Sequence, residues 1–127
     1  MKLTNVALTS SAGVLVAVVA VLFTACQTSM VITIHNQGPA LEARALCGDQ
    51  AFDQQLATGA QVTWEPTANV CRISTAKVDP VAVRYQLNIT CKHSHACSFD
   101  AGFGDDLQLM PEQTKTADVA GTVVTWR

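Results

Sequence analysis

Charge is scarce in this chain, and positive charge scarcer still. Asp, Glu, Lys and Arg make up 14% of the 127 residues. From Cys26 onward seven Lys and Arg stand against ten Asp and Glu, a net charge of −3, with no block of like charge. Nucleic-acid binding is therefore not expected, because neutralising phosphates needs a basic face that these residues cannot assemble. A membrane span is missing as well: the longest apolar run, Ala12 to Phe23, has twelve residues, where about 20 are needed to cross the hydrocarbon core. The chain has no Gly-x-Ser-x-Gly elbow, no His-Glu-x-x-His pair, no phosphate-cradling glycine loop and no dinucleotide fingerprint, each of which needs its residues at fixed local spacing. With three histidines in all, only a triad assembled from distant positions is left open. We expect no enzyme activity and no cofactor.

What is there begins with a leader. Met1-Lys2 gives a short positive start, and the apolar run ends at Thr24-Ala25-Cys26, the layout of an export signal over residues 1–26. The segment Leu22-Phe23-Thr24-Ala25-Cys26 resembles a bacterial lipobox, with Phe23 where that family usually carries Leu. The resemblance implies that Cys26 is lipidated and becomes the mature amino terminus. Cleavage by an ordinary signal peptidase after Cys26, or after Ala20, is the alternative. Residues 27–30 would then form a short tether and residues 31–127 a single domain.

Five cysteines in an exported chain leave one odd, and an unpaired thiol outside the cell is a liability. If Cys26 is lipidated or leaves with the signal, Cys47, Cys71, Cys91 and Cys97 remain as an even set. Three connectivities are possible. Proximity in sequence favours Cys47 with Cys71 and Cys91 with Cys97; a bridge such as Cys47 to Cys97 is the alternative. A domain of about a hundred residues has a marginal core, so disulfides have work to do.

Hydrophobic periodicity is two rather than 3.6. Val81, Val83, Tyr85, Leu87 and Ile89 alternate with Ala82, Arg84, Gln86, Asn88 and Thr90, the pattern of a half-buried strand. Val31 to His35 is rich in β-branched residues and ends at Asn36-Gln37-Gly38-Pro39, where Gly and Pro turn the chain. Leu41 to Cys47, Gln61 to Trp64, Val70 to Ser74, Leu107 to Met110 and Val119 to Trp126 complete the candidate strands, while Asp49 to Leu56 has room for a turn or two of helix. Turn residues separate these runs regularly. The expected fold is all-β, a small antiparallel sandwich or barrel of about 6–8 short strands, stabilised by disulfides. The opening Ile32-x-Ile34-x-Asn36-x-Gly38 resembles the first strand of several unrelated secreted sandwiches, among them thaumatin-like and aegerolysin-like proteins.

Few positions carry chemistry. In Cys91-Lys92-His93-Ser94-His95-Ala96-Cys97, paired cysteines would leave His93 and His95 at the tip of a stapled hairpin, a weak site for zinc or copper that His35 or Asp100 could join. Asp100, Asp105 and Asp106 surround two glycines, a loose match to oxygen ligation of calcium that lacks EF-hand order. Phe103, between Gly102 and Gly104, either contacts a partner or folds back on the sheet. Asn88-Ile89-Thr90 is a glycosylation acceptor if the source is eukaryotic. Trp64 and Trp126 read as core or edge aromatics. The expectation is an exported, non-enzymatic binding domain held at the cell envelope by lipid on Cys26, with a protein partner and no membrane contact beyond the anchor. The alternative is a freely secreted effector or toxin-like β protein acting on host or competitor cells.

Overall fold

A computed structural model describes residues 27–77, 79–104 and 106–127. The expected export signal, residues 1–26 with Cys26, lies outside them. Ten strands follow in order: β1 Met30–Asn36, β2 Leu41–Cys47, β3 Gln50–Leu56, β4 Gln61–Trp64, β5 Val70–Lys77, β6 Arg84–Cys91, β7 Cys97–Asp100, β8 Asp106–Leu109, β9 Thr114–Ala120 and β10 Val123–Trp126. They build two five-stranded sheets, the first ordered β10-β9-β6-β1-β4 and the second β3-β2-β5-β7-β8. All neighbours are antiparallel except β5 and β7. The fold is the expected all-β sandwich.

Alternation explains how the sheets face each other. In β1 every second residue from Met30 to Asn36 is buried, and in β6 Tyr85, Leu87, Ile89 and Cys91 are. These two strands pair over seven positions at the middle of the first sheet. Their inward side chains meet Ala43, Ala45, Ile73, Phe99 and Leu109 of the second sheet in one core. Across that core the Tyr85 hydroxyl hydrogen-bonds Thr75.

The two ends of the sandwich are closed differently. At one end, β2 and β5 are joined by Cys47–Cys71, whose residues sit directly opposite each other with Cα atoms 4.1 Å apart. At the same end Cys91–Cys97 links the last residue of β6 to the first of β7. Because β6 and β7 belong to different sheets, this bridge staples the sheets together; the loop it closes is a crossover and not the hairpin tip expected. The tether enters here. Ser29 is buried, its Oγ donates to Thr67 O (2.6 Å), its N–H to Pro66 O (2.9 Å), and its carbonyl accepts from Lys92 N–H (2.8 Å).

The far end has no bridge among the described residues. Asn36, fully buried, holds it instead. Its Nδ2 donates to Pro39 O (3.0 Å), Leu56 O (3.0 Å) and Ala57 O (3.2 Å), and its Oδ1 accepts from Gly38 N–H (3.1 Å). One amide thus satisfies the β1–β2 and β3–β4 turns together. Gly38 is required beside it because a Cβ there would stand 2.8 Å from Arg84 N.

Three segments depart from the sequence expectation. Asp49 to Leu56 is not helical: Gln50–Leu56 forms an edge strand paired along its whole length with β2. Val119 to Trp126 is two strands, turned at Gly121, whose φ of 63° is a conformation glycine adopts at little cost. Val81 and Ala82 form a turn, and Val81 is 75% exposed; Val83 is buried in the core, and the strand starts at Arg84. The edge strand, the split of Val119 to Trp126 and the short β7, which was not among the candidates, bring the strands to ten, above the six to eight expected.

Candidate functional site

The histidine loop is compact but sparsely liganded. The rings of His93 and His95 lie 5.4 Å apart, centroid to centroid. His95 N–H donates to His93 Nδ1 at 3.1 Å, which puts the proton of a neutral His93 on Nε2. A metal on either nitrogen of His93 would have to displace that hydrogen bond or that proton. Cys91 and Cys97 are oxidised and offer no thiolate. His35 lies in β1 on the outer face of the first sheet and Asp100 in β7 on that of the second, so neither reaches the loop's histidines. Among the described residues no group of three or more His, Cys, Asp or Glu is placed to hold a metal ion.

Other positions singled out by the sequence are tied into the structure. Asp100 Oδ1 accepts from Gly102 N–H (2.9 Å), and Oδ2 is 3.7 Å from Arg72 Nε. Asp106 sits opposite Asp100 in the β7–β8 ladder, and Asp105 lies outside the described residues. Phe103 packs edge-on against Trp126 (6.3 Å), partly buried over the side where β10 and β8 end their sheets. Trp64 is 7% exposed and stacks on Phe52 at 5.5 Å, so the tryptophans are core and edge residues and form no open platform. Asn88 stands mid-sheet, with Nδ2 donating to Thr116 Oγ1 (2.8 Å).

The two outer faces of the sandwich differ in kind. On the first sheet polar side chains satisfy one another across strands: Thr33 with Thr63 (3.1 Å), Asn88 with Thr116, Gln86 with Asp118 (2.9 Å) and Thr90 with Thr114 (2.8 Å). Arg127 Nε adds a bond to Asp118 Oδ2 (2.8 Å). That hydrogen bond, then the one from Gln86, holds the Asp118 carboxyl below the usual aspartate range. Such a face has little unmet bonding capacity.

On the second sheet the outer face is a shallow groove with an apolar floor. Leu46 of β2 and Val70 of β5 point outward and are 51% and 57% exposed. Leu46 lies between Ala51 of β3 and Arg72 of β5 in the ladder, and Val70 lies beside Ser98 of β7. Small side chains at Ala51, Ser74 and Ser98, and none at Gly48, make a depression on each side of the Leu46–Arg72 line. Ion pairs edge it. Arg44 bonds Glu42 and Asp53, both at 3.2 Å; chiefly the Glu42 hydrogen bond raises its pKa above the ordinary guanidinium value.

Sequence reasoning missed this groove, although a signal exists. In Leu41-Glu42-Ala43-Arg44-Ala45-Leu46-Cys47 the inward phase is Leu41, Ala43, Ala45, Cys47, which leaves Leu46 as an apolar residue in the polar phase. Val70 stands likewise in phase with Arg72.

Comparison with protein-family models, curated proteins and solved structures gave no match. The site therefore has to be read from its own chemistry. Two oxidised cysteine pairs fit an oxidising, exported environment. Among the described residues no helix is long and apolar enough to cross a membrane.

Proposed function

We propose that this chain is an exported, non-enzymatic binding domain, held at the cell envelope by lipid on Cys26, that meets a protein partner with the outer face of its second sheet. The observation that carries the reading is the contrast between faces. Leu46 and Val70 are left more than half exposed, close together and among ion pairs, while on the opposite face polar groups bind one another across the strands and the exposed Val123 stands out on the edge strand β10. An exposed apolar patch rimmed by charge has the composition of a recognition surface.

The anchor part of the proposal fits the tether. Only Gln27 and Thr28 separate Cys26 from the fixed Ser29, a reach of about 7–10 Å at ~3.5 Å per residue. A lipid on Cys26 would hold the disulfide-closed end near the bilayer and leave both faces standing away from it. One acyl chain binds reversibly, so stable retention implies two or more.

Two measurements test it. Intact mass of the exported protein, before and after reduction, should show a diacylglyceryl adduct on Cys26 and a gain of four hydrogens. Cys26→Ser should move the protein from the membrane fraction to the medium. A mass beginning at Gln27 without lipid would instead favour the secreted effector. For the face, a photo-crosslinking side chain at Leu46 should capture the partner and one at Gln61, on the opposite sheet, should not; the reverse result rejects the site.

A further inference from the structure

We infer that the groove across β2, β5 and β7 takes an extended partner segment whose groove-facing side chains, every second residue, include both aliphatic residues and Lys or Arg. This rests on the reading of that face as the contact surface and adds the partner's chemistry.

The argument is one of shape and charge. Outward positions on the second sheet hold four carboxylates, Glu42, Asp53, Asp100 and Asp106, against two guanidinium groups, Arg44 and Arg72. Both arginines are already engaged, Arg44 by Glu42 and Asp53 and Arg72 by Asp100. Asp106 has no ion-pair partner among the described residues, and it lines the same depression as Leu46, Val70 and Ser98. The groove thus offers uncompensated negative charge next to an apolar floor. A cation set beside Asp106 gains attraction without breaking an existing pair, whereas an acidic segment meets repulsion with no free arginine to answer it.

Spacing supports a ligand that carries both kinds of side chain on one face. Leu46 and Val70 are near neighbours on adjacent strands, and Asp106 lies along the same row as Leu46, with Arg72 and Asp100 between them. An extended chain lying over the strands presents side chains toward the groove every second residue. Its aliphatic groups would enter the depressions over Gly48 and Ala51 while flanking cations reach the carboxylate rim.

The test uses the exported, oxidised protein and a blocked Leu-Ser-Lys-Ser-Leu-Ser-Lys peptide, whose Leu and Lys side chains share one face of an extended chain, with its Glu-for-Lys counterpart and a Ser-for-Leu counterpart as controls. Amide shifts in a ¹H–¹⁵N spectrum should move at Leu46, Val70, Arg72 and Ser98 and stay fixed at Thr33 and Asn88. Leu46→Ser should weaken binding about ten-fold, as expected for losing a buried aliphatic contact. Asp106→Asn should weaken it about three-fold and reduce its salt dependence, the scale of one exposed ion pair. Gln61→Ala on the other face should change nothing. Equal binding of the acidic peptide, equal binding of the Ser-for-Leu peptide, shifts centred on the first sheet, or no binding at all would each overturn the inference. A dispersed amide spectrum for each variant separates lost contact from lost fold. The Cys26 mass and the Leu46 crosslink test the underlying reading independently of these outcomes.

Discussion

At one end of the sandwich the chain is closed by sulfur, at the other by a single amide. Cys47–Cys71 fixes neighbouring strands and Cys91–Cys97 fixes the two sheets, whereas Asn36 gathers two turns through four hydrogen bonds in a fully buried position. Covalent closure acts mainly by limiting the unfolded chain and survives local loss of packing. The amide acts only in the folded state. It is lost if the side chain loses its amide: the buried bond to Leu56 O goes and Pro39 O loses this donor, while Ala57 O keeps the Ala60 N–H. The end beside the tether is thus the redox-dependent one, and the far end is the one most sensitive to mutation.

The sharpest way to break the comparison is Asn36→Leu. It leaves Pro39 O, Leu56 O and Ala57 O without that donor and should cost about 3–5 kcal/mol, read as a lower urea midpoint with both bridges intact. Replacing Cys47 and Cys71 together by Ala should cost roughly 3 kcal/mol, and replacing Cys91 and Cys97 about 2 kcal/mol, following loop length. If the Cys91–Cys97 pair proves costlier, its role between sheets outweighs its short loop.

Alkali probes the core near the amide-held end. Tyr85 lies opposite Asn36 in the β1–β6 ladder, and burial raises its phenol pKa, with the Thr75 hydrogen bond acting the other way. With the folded value above the unfolded one, its contribution is fully present below about pH 10 and is lost as pH rises through the folded pKa. As the sole tyrosine, it should give phenolate absorbance at higher pH in the folded than in the unfolded protein, and Tyr85→Phe should remove that alkaline loss.

The smallest effect lies on the surface, away from either end. Arg127 holds the Asp118 pKa down, so the pair contributes above the unfolded aspartate range and that contribution fades as pH falls through the folded value. Both groups are open to solvent, so the change in stability should be slight. Arg127→Gln should move the Asp118 carboxyl titration upward in an NMR experiment while leaving the thermal midpoint nearly unchanged.

Legibility in the sequence followed the depth of each strand. β1 and β6, at the middle of the first sheet, alternate cleanly because one face of each is fully buried. β3 at the edge did not, since its inward phase, Gln50, Phe52, Gln54, Leu56, mixes glutamine with apolar residues and most of the strand is open to water. β7 was hidden by brevity, and the β9–β10 turn because one glycine makes it. The pairing of cysteines was readable from proximity, but the bridging of sheets was not. The groove was half legible: Leu46 and Val70 stand out of phase with their strands, while Ala51, Ser98 and Asp106 acquire meaning only beside them. In the opening Ile32-x-Ile34-x-Asn36-x-Gly38 the structure supplies the reason for each polar letter, a buried amide and a backbone contact.

Composition and alternation by themselves determined an all-β, disulfide-bearing sandwich, because a period of two buries one face of any strand wherever that strand is placed. Strand order, the face on which each outward residue gathers and the end at which the bridges close were decided only in the tertiary structure. Those depend on which strands become neighbours, a long-range choice that no local run of residues records.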